Sequence, residues 1–216
     1  MHIAVATSTA VMIFNAGWVS YQNARAGKLS LQILFPLLWF IAIGAVAGAC
    51  LAGIFSENLV RALFILYMLV TISDCLLCKV FFSGGTPRSL SFTVVTGGGV
   101  IIGMIAALLG VGGSVMTVPL LRRHGHSMSE CIRASNPLSL PVALCGAVTY
   151  VVTGWQSMPV SGFLGFISLK VLGLLVLTGW AGIVFSRRAI PAIPDIWHAR
   201  IYVLLLCLVF LSMLLR

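Results

Sequence analysis

The sequence predicts an all-α polytopic membrane protein, built as two related helical repeats with a Gly/Pro-broken helix in the middle. Three observations predict it. Of 216 residues, 60% are hydrophobic and 8% charged, whereas soluble domains carry roughly 25% charged residues; mean hydropathy is +1.13. Apolar runs long enough for a bilayer, which takes about 20 residues, recur along the whole chain. And Gly110-Val-Gly-Gly-Ser-Val-Met-Thr-Val-Pro119 interrupts one of these runs with residues that do not continue a helix.

The runs, in order, are Ile3–Tyr21, Leu31–Ile54, Leu59–Phe82, Phe92–Leu121, Ile132–Thr153, Phe163–Phe185 and Arg200–Leu215. That makes about seven transmembrane spans, with Phe92–Leu121 either crossing once or folding back as a hairpin. The last is short and is expected to extend back through His198. The N-terminus has no basic leader and no small-residue cleavage site after a short apolar core, so it does not read as a cleavable signal. The connections are too short to hold a large soluble domain.

The halves resemble each other. A shift of 135 − 8 = 127 positions aligns Ser8 with Ser135, Ala16 with Ala143 and Gly27 with Gly154. Ala52-Gly53-Ile54 resembles Ala181-Gly182-Ile183, and Arg61 and Arg200 open the last span of each half. The division is 1–83, an incomplete first repeat of three spans, and 84–216, a second repeat with the Gly-rich broken span plus three more. Nothing before Ala4 matches Phe92–Leu121, so the chain starts one element late. A truncated or degenerate form is therefore open. So is a homo-oligomer in which a second copy fills the gap.

The net charge of +9 does not indicate nucleic acid. Lys and Arg fall mainly in loops, the usual membrane pattern in which basic loops stay cytoplasmic. The loops of Arg122/Arg123 and Arg187/Arg188 are assigned to the cytoplasm, and the protein to the plasma (bacterial inner) membrane. The six cysteines lie mostly in spans, where a thiol packs as a small apolar group. Cys75-Leu-Leu-Cys78 lacks the strand–helix setting of a redox motif. His124 and His126 flank Gly125 in what reads as a solvated loop. No metal site or cofactor is expected, and no P-loop indicates ATP use. The four histidines sit near span ends, so Ser114 has no base at membrane depth. An intramembrane serine hydrolase is thus the weaker alternative.

The chemistry points to the Gly-rich break. Irregular backbone at membrane depth is tolerated only where protein buries it or it lines a wet cavity. A glycine-rich turn feeding a helix N-terminus leaves N–H groups unpaired beside a partial positive charge, which suits a small oxyanion. Gly110, Gly112, Gly113 and Ser114 are the candidate cradle, with Pro119 stopping or kinking the following helix. Ser135 and Asn136, at the start of a span broken by Pro137 and Pro141, and Thr7 and Ser8 in the other copy are candidates to complete a polar pocket, with helix capping as the alternative. Asp74 and Lys170 are ionisable residues inside spans. They either pair with each other or Asp74 carries a proton coupled to transport. Gly44-x-x-x-Gly48 and Gly99-x-x-x-Gly103 have the spacing of close helix packing.

At these residues the sequence resembles the TauE/SafE family of membrane transporters. The carriers of the resemblance are Gly110-Val111-Gly112-Gly113-Ser114, Val118-Pro119-Leu120, Ala134-Ser135 with Pro141, Thr7-Ser8, and Gly27 with Gly154. Ser114 stands where the family has a further glycine, Arg133 and Ala134 where glycine and threonine are usual, and Ile13 where a proline is common. The resemblance implies two related halves and a secondary transporter that moves sulfite, sulfonates or related organosulfur anions by alternating access. Its partners are then a small anionic solute and the lipid bilayer.

Overall fold

The computed structural model describes all residues except 1, 28, 30, 53–55, 79–80, 83–84, 111, 156–161, 190–193 and 215–216. It contains α1 (His2–Arg25), α2 (Leu31–Ala52), α3 (Glu57–Leu77), a π-helical turn (Val94–Gly98), α4 (Gly99–Leu109), α5 (Ser114–Arg123), α6 (Met128–Gly154), α7 (Leu169–Ala189) and α8 (Asp195–Leu214). Among the described residues, four windows are long and apolar enough to cross a membrane: 34–51, 128–154, 169–186 and 195–212. The last helix does extend back past His198, to Asp195.

One expected span starts late. Phe163–Leu164 pairs antiparallel with Ile167–Ser168 (β1 and β2), and α7 begins only at Leu169. The cause is local: Gly162 and Gly165 hold φ of +97° and +58°, a backbone region that glycine enters without steric cost.

Residues 92–123 do not cross once but fold back. The chain enters along the π turn and α4, breaks after Leu109, and returns along α5. Both ends of this hairpin lie together: the Arg88 N–H donates to the His124 carbonyl at 2.8 Å, and Gly125 (φ +84°) is packed onto the Thr86 carbonyl. Between the arms, Gly98 faces Leu120. The ten residues of α5 rise about 15 Å, half of the roughly 30 Å hydrocarbon layer.

Helix directions follow from pairwise contacts. Leu37 lies by Gly99, Ile41 by Gly103 and Gly48 by Met104, so α2 and α4 run parallel. Gly17 lies by Leu140 and Gly146 by Thr9, so α1 and α6 run antiparallel. α3 and α8 also run antiparallel, with Cys75 packed in the cluster of Ala199 and Val203 and Phe64 in that of Leu206. α7 lies at the edge against α1, where Trp18 meets Trp180 at 6.5 Å, and none of its window Leu169–Ser186 is buried.

The α2–α4 crossing is close, with glycines of both helices against facing backbone. A Cβ at Gly44, Gly48 or Gly103 would overlap a backbone carbonyl of the facing helix, that of Val100, Met104 and Ile41 respectively. Around it, Leu34, Leu37, Ile41 and Ala45 pack with Ile102, Ala106, Leu138 and Val142 as the main core.

These directions sort the charges. The open end of the hairpin shares its face with the end of α1, the start of α6, the end of α7 and the start of α8. Among the described basic residues, Arg25, Arg88, Arg122, Arg123, Arg133, Arg187, Arg188 and Arg200 lie toward that face, and Arg61 and Lys170 toward the other.

Candidate functional site

Gly110 closes α4 in the left-handed conformation (φ +64°), its N–H donating to Ala106 and Ala107 carbonyls. An L side chain is strained there, and a Cβ would also meet Val5 Cγ1 at 2.8 Å. Val111 lies outside the described residues. Gly112 faces Met12, whose Sδ would be 2.7 Å from an added Cβ, and Gly113 faces Leu138 and Ser139 of α6. The hairpin tip is therefore wedged between α1 and α6.

The first turn of α5 starts at Ser114. Val115 N–H donates to the Gly112 carbonyl (3.2 Å), and Met116 and Thr117 N–H to that of Gly113 (3.2 and 3.0 Å). The N–H groups of Gly112, Gly113 and Ser114 make no hydrogen bond among the described residues. They are the unpaired donors that every helix N-terminus leaves, here placed half a hydrocarbon layer from the open end. Glycine at 112 and 113 keeps side-chain atoms out of their way.

On α1, Val5, Ser8 and Met12 follow each other at helical spacing on one stripe. Val5 and Met12 touch the tip, and Ser8 lies exposed between them. Its hydroxyl donates to the Val5 carbonyl at 2.9 Å, and it donates to an anion only by turning away from that carbonyl. Thr7 points elsewhere. It is buried, donates to Ile3 O at 2.7 Å and accepts the Ser168 N–H at 3.2 Å, so it anchors β2 to α1. Ser135 and Asn136 do not cap α6. Both bond back to the Ile132 carbonyl at 2.9 Å, and Ser127 with Glu130 forms the capping box at the helix start. The reason is position: α6 begins a full turn earlier than the apolar run does. Ser139, which the sequence reading did not single out, is the α6 serine that meets the tip. It is buried, with its hydroxyl donated to Ser135 O at 2.8 Å.

Pro119 neither ends nor visibly interrupts α5, which continues to Arg123. Having no N–H, it leaves the Val115 carbonyl without its helical donor. Tyr67 of α3 and Tyr202 of α8 supply that donor, at 3.2 and 3.0 Å.

Asp74 and Lys170 do not pair with each other. Asp74 forms an ion pair with Arg123 at the base of the hairpin, and Lys170 is exposed at the start of α7, toward the opposite face. Arg123 is half-exposed and Asp74 about a quarter, so the pair contributes at most about 1 kcal/mol. Thermal unfolding in detergent is expected to show Asp74→Asn within that margin of the parent.

The base carries a second arrangement that the sequence reading missed. Arg122 is fully buried. Its Nε donates to Phe81 O at 2.7 Å and its Nη1 to His126 O at 2.9 Å. Nη2 lies 2.6 Å from Asp195 Oδ2, an ion contact without hydrogen-bond alignment. The other oxygen of Asp195 accepts the Met128 N–H at 2.6 Å. The 124–126 turn is accordingly not a solvated loop: His126 is buried and the His124 ring lies 2.9 Å from Leu120 O. The two glycines aligned by the internal repeat have separate causes. Gly27 holds φ +64°, while Gly154 gives way to the backbone of Phe166.

This arrangement is a broken helical hairpin whose tip is held between α1 and α6. The family model described as "Sulfite exporter TauE/SafE" matches residues 1–213. A "Probable membrane transporter protein" of Haemophilus influenzae is 22% identical over 223 aligned positions, covering 100% of this chain and 82% of that protein. No solved structure matches significantly. With nearly its whole length matched by that model, and with apolar helices to cross a bilayer, the chain belongs to the TauE/SafE family of membrane transport proteins.

Proposed function

We propose that the protein is a secondary transporter of a small organosulfur anion, sulfite or a sulfonate, in the plasma membrane, and that the anion binds at the hairpin tip. One observation carries the reading: three adjacent N–H groups, of Gly112, Gly113 and Ser114, have no partner among the described residues at the N-terminus of α5, inside an apolar run of membrane depth. With no water to receive them, such groups need an acceptor, and a sulfite or sulfonate oxygen is one. Ser114 and exposed Ser8 add hydroxyls beside them. Ser135, Asn136 and Thr7 keep a supporting role, since Thr7 lies off the α1 stripe that meets the tip and Ser139 is the α6 serine that meets it.

Alternating access is supported by the helix pairing. If residues 1–83 and 84–216 are related copies, α1, α2 and α3 correspond to α6, α7 and α8. The antiparallel pairs α1–α6 and α3–α8 then join corresponding helices, and α2 on α6 mirrors α7 on α1. Copies related by an axis in the membrane plane are the usual design for rocking about a central site. The end of the molecule that collects eight of the ten described basic residues is cytoplasmic by the positive-inside rule. An ion gradient supplies the drive, with Asp74 as the proton-coupling candidate. Asp74→Asn would then abolish the dependence of flux on a pH gradient.

Uptake of labelled sulfite or sulfoacetate into proteoliposomes tests this reading. Gly112→Leu, which drives a side chain into Met12, is expected to reduce flux more than about tenfold. Ser114→Ala is expected to raise KM about two- to tenfold, the worth of one hydrogen bond. A well-folded protein that moves neither solute would refute the assignment.

A further inference from the structure

Val115 is the residue next to the candidate cradle, and its carbonyl is bound in an unusual way. In an uninterrupted helix it would accept the N–H of residue 119. Pro119 has none, so the acceptor is left over in the first turn of α5, at a depth where an unpaired carbonyl is costly. Tyr67 from α3 and Tyr202 from α8 both donate to it. The same two helices bury the neighbouring apolar groups: Leu109, Val115, Tyr67, Tyr202 and Phe210 pack around Phe64, Met68 and Leu206. The hairpin tip is thus gripped from two sides, by α1 and α6 in front and by α3 and α8 behind. Neither tyrosine reaches the cradle itself.

We infer that Tyr67 and Tyr202 are positioning residues for solute binding at the tip, acting through the carbonyl that Pro119 releases. Their two hydroxyls fix the depth and tilt of the first turn of α5 and so the direction in which the N–H groups of Gly112 to Ser114 point. The two donors come from opposite halves of the chain. When one half shifts against the other, one bond lengthens while the second keeps the carbonyl paired, so the tip moves without stranding a polar group in lipid. The inference rests on the proposed anion site, and its test has a readout that needs no solute.

In vesicles containing the full chain, a Ser114→Cys reporter is labelled with a charged thiol reagent, with labelling of the parent chain and its native cysteines subtracted. Tyr67→Phe or Tyr202→Phe alone is expected to change the labelling rate by less than about twofold, because one donor remains. The double variant is expected to change it on the order of tenfold. Without the reporter, the double variant is expected to raise KM for sulfite by a similar factor while moving the maximal rate much less. Adding Pro119→Ala to the double variant restores a backbone donor for the Val115 carbonyl. Both readouts are then expected to return to within about twofold of the parent. A purely structural role for the tyrosine rings predicts no rescue by a change at position 119.

The inference is overturned if the double variant labels like the parent, or if Pro119→Ala fails to rescue it while circular dichroism shows intact helices. Should the double variant fail to insert, normal insertion of the triple variant supports the inference, and its failure overturns it. If the parent carries neither sulfite nor sulfonate, the anion assignment fails, and the labelling series still decides the role of the tyrosines.

Discussion

Arg122→Ala is expected to be among the most destabilising single changes at the open end of the hairpin, costing about 2–5 kcal/mol, mainly because two buried carbonyls lose their donors at roughly 1–3 kcal/mol each. Arg122 has no exposed surface and joins four segments: the turn after α3 through Phe81 O, the turn after α5 through His126 O, the start of α8 through Asp195, and, by way of Asp195, the first N–H of α6. Alanine leaves two buried carbonyls without donors and a carboxylate without a counter-charge. Lysine keeps the charge but not the planar fork that reaches three directions at once, so Arg122→Lys falls between alanine and the parent. Asp195→Asn is the mildest of the three, because the Asp195 side chain is 37% exposed and an amide oxygen still accepts the Met128 N–H. Unfolding midpoints in detergent for the three variants give this order directly. Equal midpoints for Arg122→Ala and Asp195→Asn would show that the fork to Phe81 and His126 contributes nothing.

The contrast between Arg122 and Arg123 shows how far the sequence could be read. The two are adjacent, both basic, both at the end of an apolar run. One is buried among carbonyls and the other is half-exposed against Asp74. Composition and spacing treat them alike, because what separates them is which chain segments arrive from 41 and 49 residues away. The break at Gly110–Gly113 was legible, since glycine clusters and proline inside lipid are costly under any fold. The return of the chain after that break was not. Hydropathy reports depth but carries no direction, so a hairpin and a single crossing look the same. That ambiguity also scrambled the basic residues: with residues 92–121 drawn as one crossing, Arg88 and Arg122 fall on opposite faces, whereas the contact between Arg88 and His124 puts them on one. Thr7 and Ser8 are neighbours in sequence, yet adjacent residues on a helix point about 100° apart, and only Ser8 lies on the stripe that touches the tip. The tyrosines left a partial signal. Pro119 implies a leftover acceptor at Val115, but nothing in the sequence says which hydroxyl fills it.

The second large effect is expected at Gly103. Inside a bilayer, apolar side chains gain little by leaving lipid for one another, so helices associate through close van der Waals fit and weak backbone contacts. At the α2–α4 crossing that fit is made by glycines from both helices. A single methyl at Gly103 would occupy the space of the Ile41 carbonyl and press on the Ala45 nitrogen. Both obstacles are backbone, so no rotamer change relieves the overlap and the helices must separate. Separation loosens the cluster of Leu37, Ile41, Ala45, Ile102 and Ala106 along its length, and it displaces the arm that carries the tip toward α1. Gly103→Ala is expected to cost about 2–3 kcal/mol, at the upper end for overpacking, and Gly103→Leu to prevent stable insertion. Gly173 is the control. It too lies within an apolar helix, but an added Cβ there meets no described atom within 4 Å. Gly173→Ala is expected to be neutral or stabilising by up to about 1 kcal/mol through helix propensity. The two alanine variants differ by one methyl each and by the same propensity gain, so the gap between their unfolding midpoints isolates the packing term. A gap near zero would mean that α2 and α4 do not meet through their glycines, and the hairpin would then lose the wall that fixes its entering arm.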